Sequence, residues 1–322
     1  MNQTSEFSLI KAYFSALTAD REDVVLGIGD DCALLKPPAG KLLATSVDTL
    51  VSDVHFFADV DAYRLGQKAL AVNLSDLAAM GANPAWFTLA LTIPRANPDW
   101  LKAFSAGIAD LAKQHDLQLV GGDTTRGSLA ITIQITGFVD ADNAFRRDAA
   151  QPGDKIYVSG TLGDAGAGLL LKQGKLPLDK LTEAEQQFLV DRLELPTPRN
   201  SLASQLVGEI QSAIDISDGL LADLQHILTA SQVGAVIDTT ALPLSSALQK
   251  LPVELANKLA MTAGDDYELC FTVSPNKAAV LEAALNGQVT CIGEITTLAG
   301  LKLLPENAQQ NLDVTPGYDH FS

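Results

Sequence analysis

Short apolar runs that end in small residues and aspartates recur along this chain. In the first of them, residues 24–26 lead into Gly27–Ala33, which holds two glycines and the adjacent Asp30 and Asp31. Such a run predicts a buried strand that delivers acidic side chains to its end. Because neighbouring side chains on a strand point to opposite faces, we expect Asp30 and Asp31 to differ in role, and we favour Asp30 as a ligand. Similar clusters follow at residues 46–48, 73–76, 121–123, 215–219 and 264–266.

The composition restricts the class of protein. A chain of 322 residues with 47% hydrophobic and 19% charged residues forms one large globular domain or two ordinary ones. No apolar run approaches the roughly 18 residues that span a bilayer. The first residues lack the basic and apolar segments of a signal peptide. Three widely spaced cysteines suit a reducing compartment, so we expect a cytoplasmic protein with no membrane partner.

The charge of the chain is strongly acidic, at −17. Nucleic-acid binding is therefore not expected, because phosphate contacts need clustered lysine and arginine. The 39 acidic residues comprise 28 Asp and 11 Glu. Aspartate favours caps, turns and metal sites, whereas glutamate favours helix surfaces. If the ligand is a polyphosphate, a chain of this charge needs divalent cations to neutralise it.

The hydrophobic pattern predicts two α/β domains. Apolar residues at helical spacing predict helices over residues 5–18 and 61–80, and Asp76 lies within the second among apolar neighbours. A carboxylate in such a place is rarely buried without a partner. The polar segment 146–154, which contains Pro152-Gly153, predicts a boundary between domains 1–148 and 149–322. Strands and helices alternate beyond it, as in an α/β layer.

Familiar nucleotide and hydrolase motifs are absent from the sequence. Residues 168–176 have one residue too many for a P-loop and no Ser or Thr for magnesium, and 27–29 lack the third glycine of a dinucleotide fingerprint. No HExxH, GxSxG or protein-kinase catalytic loop occurs. What remains is the set of aspartates interleaved with Gly, Ser and Thr. Because hard cations bind oxygen ligands and substrate phosphates together, this set predicts a metal-dependent phosphate site. The alternative is that these aspartates are caps and turns scattered in space.

Seven motifs in order along residues 27–321 resemble the thiamine-monophosphate kinase family. They are Gly-Ile-Gly-Asp-Asp at 27–31, Asp-Thr-Leu at 48–50 with His-Phe at 55–56, Asn-Leu-Ser-Asp-Leu-Ala-Ala-Met-Gly-Ala at 73–82, Gly-Gly-Asp-Thr at 121–124, Asp-Ile-Ser-Asp-Gly-Leu at 215–220, Asp-Tyr-Glu-Leu at 266–269 and Gly-Tyr-Asp-His-Phe at 317–321. Single motifs also resemble the wider superfamily of aminoimidazole ribonucleotide synthetase and selenophosphate synthetase. The His-Phe pair and the terminal motif narrow the resemblance to the kinase.

The resemblance implies a fold and an activity. The implied fold is a two-domain α/β (α+β) architecture like that of aminoimidazole ribonucleotide synthetase. Its N-terminal mixed sheet binds metal and ATP and joins that of a dimer mate, and its C-terminal α/β domain completes the site. The implied reaction is the ATP- and Mg²⁺-dependent phosphorylation of thiamine monophosphate to thiamine diphosphate, the last step of that cofactor's biosynthesis. It proceeds by direct transfer without a general base.

The resemblance also implies roles for individual residues. Several Mg²⁺ ions would be ligated by Asp30, Ser46, Val47, Asp48, Asp76, Asp123, Asp215 and Asp218. ATP would be bound by Gly122, Asp123, Arg147 and Ser217, and thiamine monophosphate by His55, Asp266 and Tyr318.

Three positions depart from the family pattern. Val47 stands where Thr is usual, so only a backbone oxygen is available there, and Tyr318 stands where Trp is frequent. Asp265 replaces the usual Glu, which leaves open whether Asp265 or Asp266 contacts the substrate. Two other functions also remain open: an ATP-using superfamily member with a different small substrate, and a non-catalytic binder of nucleotide or divalent metal.

Overall fold

The structure is a computed structural model that describes residues 6–177 and 179–305. The chain divides into two compact units. The first comprises the residues up to Leu77 together with Ala82–Asp142, and the second comprises Ala78–Gly81 and the chain from Asn143 onward. The division therefore falls after Asp142, a few residues before the boundary expected after residue 148. The terminal motif with Tyr318 lies outside the described residues.

The first unit is built on a four-stranded mixed sheet. The elements of the unit are α1 (Glu6–Tyr13), β1 (Val24–Leu26), β2 (Leu34–Leu35), β3 (Leu42–Val51), α2 (Ala62–Ala79), β4 (Asn83–Ile93), α3 (Pro98–Gln114), β5 (Gln118–Arg126) and β6 (Ala130–Val139). The order of the sheet is β3-β6-β4-β5, in which β6 is antiparallel to β3 and β4, and β4 is parallel to β5. A separate antiparallel pair, β1 and β2, precedes it.

Two glycines allow α2 and α3 to cross at close range. A Cβ atom on Gly66 would collide with the backbone of Phe104, and one on Gly107 would collide with the backbone of Tyr63. Side chains at either position would force the helices apart, because protein interiors are packed too densely to absorb an added methyl group. The pair fixes the depth at which α2, the helix that carries Asp76, lies in the first unit.

The sequence predicted most of these elements, and three differ in extent. The helix expected over 61–80 is confirmed as α2, whereas the one expected over 5–18 ends at Tyr13. The strand expected to end before Gly121 runs on to Arg126, so Gly122 and Asp123 lie within β5 rather than after it. The third difference is in the loop that follows β1, because the strand ends at Leu26 and does not continue to Asp30.

The second unit is built on a six-stranded sheet. Its elements are β7 (Lys155–Ser159), α4 (Asp164–Lys172), α5 (Glu183–Glu194), α6 (Asn200–Leu206), β8 (Ser212–Ile216), α7 (Leu220–Ser231), β9 (Gly234–Asp238), α8 (Val253–Thr262), β10 (Glu268–Val273), α9 (Pro275–Leu285), β11 (Val289–Thr296) and β12 (Gly300–Leu304). The order of the sheet is β12-β9-β11-β7-β10-β8, and all neighbouring strands are antiparallel except β12 and β9, which are parallel.

Both faces of strands β7, β8 and β10 are largely buried. Alternate residues of one strand point to opposite faces, so Ile156 and Val158 of β7 enter one core with α7, while Tyr157 between them enters another with α6 and α9. In the same way Cys270 of β10 enters the first core and Phe271 the second. Burial on both faces explains why these strands read as continuous apolar runs in the sequence.

No helix in the described part of the chain is both long enough and apolar enough to pass through a bilayer.

Candidate functional site

Ser46, Asp48 and Asp76 form one polar group in the first unit. Ser46 and Asp48 lie two residues apart on β3 and therefore share a face, and the Ser46 hydroxyl donates to Oδ2 of Asp76 on α2. Burial, together with the negative charge of Asp76, raises the pKa of Asp48 to about 7. A carboxylate whose pKa is raised in this way by a second carboxylate is stabilised in its charged form by a cation, and the pair can also share a proton.

Val47 lies between these residues on β3 with its side chain on the other face, where it is 59% exposed. An apolar side chain supplies no metal ligand, so the backbone carbonyl is the group through which Val47 can act. The sequence predicts the same group, the backbone oxygen, at this position.

Asp30 and Asp31 line a cavity of about 480 Å³ in the first unit, together with Asp123 of β5. Apolar side chains, including Phe14 and Leu119, also line the cavity. Strand β1 ends at Leu26, so the two aspartates lie in a tight loop in which the Asp31 backbone N–H donates to Oδ1 of Asp30 at 2.9 Å. The expectation that they face opposite sides of a strand is therefore wrong, because strand alternation does not apply to a turn.

Gly122 brings the β5 backbone against β4. In the parallel pairing, Gly122 lies opposite Leu89, and a Cβ atom on Gly122 would collide with the Leu89 backbone. Its φ of +156° is also one that side-chain-bearing residues rarely adopt. Asp123, which is exposed, follows directly. The position of its carboxylate therefore depends on a backbone conformation that only glycine adopts readily.

His55 lies in the loop that follows β3, and its ring is held by the backbone. The Val51 N–H donates to Nδ1 of His55 at 2.9 Å, so the neutral ring carries its proton on Nε2. Lys68 of α2, which is buried, donates to the His55 carbonyl oxygen at 3.5 Å. Hydrogen bonds therefore hold both the ring of His55 and the backbone of the loop.

In the second unit, the predicted residues Asp215, Ser217 and Asp218 lie at the end of β8 and in the loop that leads to α7. Asp215 is buried within β8, while Ser217 and Asp218 are half-buried. The backbone N–H groups of residues 217, 218 and 219 all donate to Oδ2 of Asp223 at 3.0 Å. Burial raises the pKa of Asp223 to about 7. Asp223 is not among the residues predicted from the sequence, although a carboxylate in the first turn of a helix that follows Gly219 is a recognisable capping signal.

The segment 264–267 separates the two aspartates that the sequence left as alternatives. Asp266 is 1% exposed and accepts the Gly163 N–H at 2.7 Å and the Ala165 N–H at 3.4 Å, at the start of α4. Burial raises its pKa to about 8. The half-buried Asp265, at a φ of +67°, accepts from the Tyr267 hydroxyl at 3.0 Å. This placement gives Asp266 a helix-capping role and does not fit the expected substrate contact, whereas Asp265 is the more accessible of the two.

Arg147 lies in the segment 146–148 of the second unit, a few residues after Asn143. Arg146 pairs with Asp148 at 2.6 Å, whereas the Arg147 side chain is exposed and its backbone carbonyl accepts from the Ser231 hydroxyl at 2.8 Å. Of Arg146 and Arg147, only Arg147 is predicted to bind ATP, and its side chain is exposed to solvent.

The predicted metal ligands are divided between the two units. Six of them lie in the first, and Asp215 and Asp218 lie in the second. Across residues 6–177 and 179–305, no three His, Cys, Asp or Glu side chains are grouped as they would be around one ion. The multi-ion cluster therefore stays a prediction. Ser46, Asp48 and Asp76 offer oxygen ligands, and the two carboxylates repel each other when both are charged. A set of this kind fits a hard cation.

Comparison with known families places these two units in one class. Residues 29–139 match the model for the N-terminal domain of AIR synthase related proteins, and residues 151–304 match the model for the C-terminal domain. The predicted two-domain fold is thereby confirmed. The crystal structure of the hydrogenase maturation protein HypE from Escherichia coli has this fold too, with 24% identity and a TM-score of 0.70 over 92% of each chain.

Closer relatives identify the family within that class. The thiamine-monophosphate kinase of Escherichia coli O157:H7 is 49% identical over 98% of both chains, and that of Bacillus subtilis is 35% identical over 98% of this chain and 99% of its own. The crystal structure of thiamine-monophosphate kinase from Stenotrophomonas maltophilia is 48% identical, with a TM-score of 0.83 over 89% of this chain and 93% of that one. The chain belongs to the thiamine-monophosphate kinase family.

Proposed function

We propose that this chain transfers the γ-phosphoryl group of ATP to thiamine monophosphate and so forms thiamine diphosphate. The observation that carries the proposal is the identity of 49% over 98% of both chains with a thiamine-monophosphate kinase. Further support comes from a solved structure described as AaThiL complexed with AMPPCP and TMP. It is 28% identical, with a TM-score of 0.76 over 100% of this chain and 98% of that one.

The polar group on β3 and α2 is the proposed centre for Mg²⁺. Ser46, Asp48 and Asp76 would hold an ion, with the Val47 carbonyl beside them. Asp30 and Asp123 at the cavity, and Asp215 and Asp218 in the second unit, would hold further ions. Bound Mg²⁺ would supply most of the neutralisation of phosphate charge, because a chain of net charge −17 has many more acidic than basic side chains.

The remaining predicted residues are assigned to the two substrates. Gly122, Asp123, Arg147 and Ser217 are proposed to bind ATP, the glycine by letting a phosphate approach the backbone. For thiamine monophosphate we propose His55, Asp265 in preference to Asp266, and Tyr318, the last of which lies outside the described residues.

The chemistry needs positioning more than proton transfer. An oxygen of the thiamine monophosphate phosphate attacks the γ-phosphorus, the bond from that phosphorus to the β–γ bridging oxygen breaks, and ADP leaves with the electron pair. The second pKa of a phosphate monoester is about 6, so the nucleophile is already ionised at neutral pH and no general base is required. The protein's part is to hold two polyanions in line, and Arg147 adds one fixed positive charge to that task.

We also propose that the protein is a cytoplasmic homodimer joined through the first-unit sheet. Strand β3 lies at the edge of that sheet, and its outward side chains include Leu43 and Val47, which are 51% and 59% exposed. An exposed apolar edge strand is normally covered by another chain or blocked by charge. The three free cysteines agree with a reducing compartment.

The experiment that tests the reaction is ADP release with thiamine monophosphate, with and without Mg²⁺. We expect turnover only when both are present, and we expect Asp48→Ala or Asp76→Ala to lower it at least about 100-fold because the cation loses a ligand. The exposed Asp142→Ala is the matched control in the same unit and leaves turnover unchanged. Wild-type turnover in both site variants would refute the metal assignment, and turnover with a different acceptor alone would refute the substrate.

A further inference from the structure

The loop between β8 and α7 has the backbone geometry of an anion site. Three consecutive N–H groups, those of Ser217, Asp218 and Gly219, converge on one point. Such a row of N–H groups forms a concavity that binds phosphates in many nucleotide-binding proteins. Here the concavity is already filled, because all three N–H groups donate to the same oxygen of Asp223, each at 3.0 Å.

The surroundings of Asp223 fix it in that position. Its side chain is 3% exposed, and its own backbone N–H donates to the Gly219 carbonyl at 3.0 Å, within the first turn of α7. The opposite side of the loop is tied to the segment before β10. Asp265 N–H donates to the Ser217 carbonyl and Tyr267 N–H to the Ile216 carbonyl, both at 2.8 Å. The loop is thus held from two sides, and the Asp223 carboxylate accepts a bond from each of the loop's three N–H groups.

We propose that Asp223 is a positioning residue for nucleotide binding: its carboxylate occupies the backbone anion site at 217–219 and thereby sets the directions of Ser217 and Asp218. Ser217 and Asp218 are the residues proposed above to contact ATP and its metal, so the inference rests on that proposed function. A carboxylate that holds a loop in this way keeps phosphate out of the loop's concavity and leaves the two side chains to meet the nucleotide from outside it.

The test is the affinity for Mg²⁺–ATP, measured by calorimetry, together with the KM for each substrate. We expect Asp223→Ala to weaken Mg²⁺–ATP binding and raise the KM for ATP about 10- to 100-fold, while the KM for thiamine monophosphate stays within about twofold. Asp223→Asn, which keeps an acceptor oxygen, loses less. Formate added to Asp223→Ala restores part of the affinity because it refills the concavity.

Asp238→Ala is the matched control. Asp238 is an exposed aspartate of the same unit that accepts the Thr240 N–H at 2.9 Å, and its loss leaves both KM values unchanged. If Asp223→Ala fails to fold, Asp223→Glu retains the charge and displaces the loop, and we expect the same selective rise in the KM for ATP.

The possible results separate the inference from the function on which it rests. Mg²⁺–ATP affinity within twofold of wild type in Asp223→Ala, or an equal rise in both KM values, overturns the positioning role while the kinase activity stands. A wild-type protein that binds no Mg²⁺–ATP overturns the proposed function and this inference together.

Discussion

Arg21 and Asp23, just before β1, form a hydrogen-bonded cluster with Trp86 of β4 in the first unit. Arg21 donates to both carboxylate oxygens of Asp23, at 3.0 and 2.8 Å, and the Trp86 indole N–H donates to Oδ1 at 2.9 Å. The hydrogen bonds from Arg21 are the main reason that the pKa of Asp23 lies below its ordinary value of 3.8. The cluster therefore favours the ionised carboxylate in the folded state.

This shift predicts how stability depends on pH. Because the folded-state pKa is depressed, the stabilisation is fully present above the ordinary value and is lost as the pH falls through the lowered pKa. We expect Asp23→Asn to reduce the free energy of unfolding by about 1–2 kcal/mol at pH 7, and by progressively less under acid conditions. Denaturant unfolding of both proteins from pH 7 to pH 3 measures the difference.

Asp116 offers a matched control for the Asp23 prediction. It pairs with the same Arg21 at 2.7 Å, but its side chain is 85% exposed. Since exposed ion pairs contribute about 0–1 kcal/mol, Asp116→Asn should change stability less than Asp23→Asn. Equal losses in the two variants, or a loss in Asp23→Asn that does not diminish in acid, would contradict the role assigned to the cluster.

The site was predictable from the sequence to the extent that residue type and spacing determined it. The pattern points to Asp76 because an aspartate among apolar helix neighbours needs a partner, and to Asp48 because it ends one of the clusters of small residues and aspartate. The structure places Ser46 and Asp48 beside Asp76. No comparable pattern in the sequence distinguishes Asp266 from Asp265 as the substrate contact. Which of two adjacent carboxylates is buried depends on the start of α4, a helix about 100 residues earlier in the chain.

The crossing of α2 and α3 shows at the level of elements how tertiary contact overrides local preference. Glycine within a helix costs about 1 kcal/mol relative to alanine, so propensity alone would favour alanine at Gly107. The backbone of Tyr63 occupies the place of that methyl group. We therefore expect Gly107→Ala to lower the free energy of unfolding by about 1–3 kcal/mol, opposite in sign to the propensity effect.

The neighbouring Ala106 provides the control for this crossing. It is exposed on the same helix, so Ala106→Ser should change the free energy of unfolding by no more than about 0.5 kcal/mol. Thermal or denaturant unfolding distinguishes the two variants. An unchanged or raised stability in Gly107→Ala would mean that the helices can separate without cost.

Element boundaries were less predictable than the elements themselves. Nothing in the sequence indicates that β5 continues through two glycines to Arg126, because glycine ordinarily weakens a strand. Pairing with β4 and the close approach at Gly122 stabilise it there. The sequence predicts the end of a strand at Asp30, whereas the structure has a tight loop there. Glycines that permit a strand to end also permit a tight turn, so the pattern does not distinguish the two.

At the scale of the whole molecule, the outer face of the first-unit sheet predicts assembly. The apolar Leu43 and Val47 alternate on β3 with Thr45 and Thr49, and all four are exposed. Charged residues, which commonly protect an edge strand, are missing from these four positions. We expect light scattering at micromolar concentration to give a mass about twice that of the 34.0 kDa chain.

Leu43→Glu tests whether this face is the dimer interface without altering a proposed metal ligand. Placing a carboxylate at a buried contact leaves it desolvated without a partner, so we expect the dimer to dissociate to a 34.0 kDa species. Val253→Glu is the control: Val253 is 68% exposed in the second unit, and the variant should keep the wild-type mass. A wild-type monomer would refute the dimer, and a dimer that tolerates Leu43→Glu would move the interface elsewhere. Because a separate face carries Ser46 and Asp48, kinase activity measured alongside the mass shows whether the proposed site needs the partner chain.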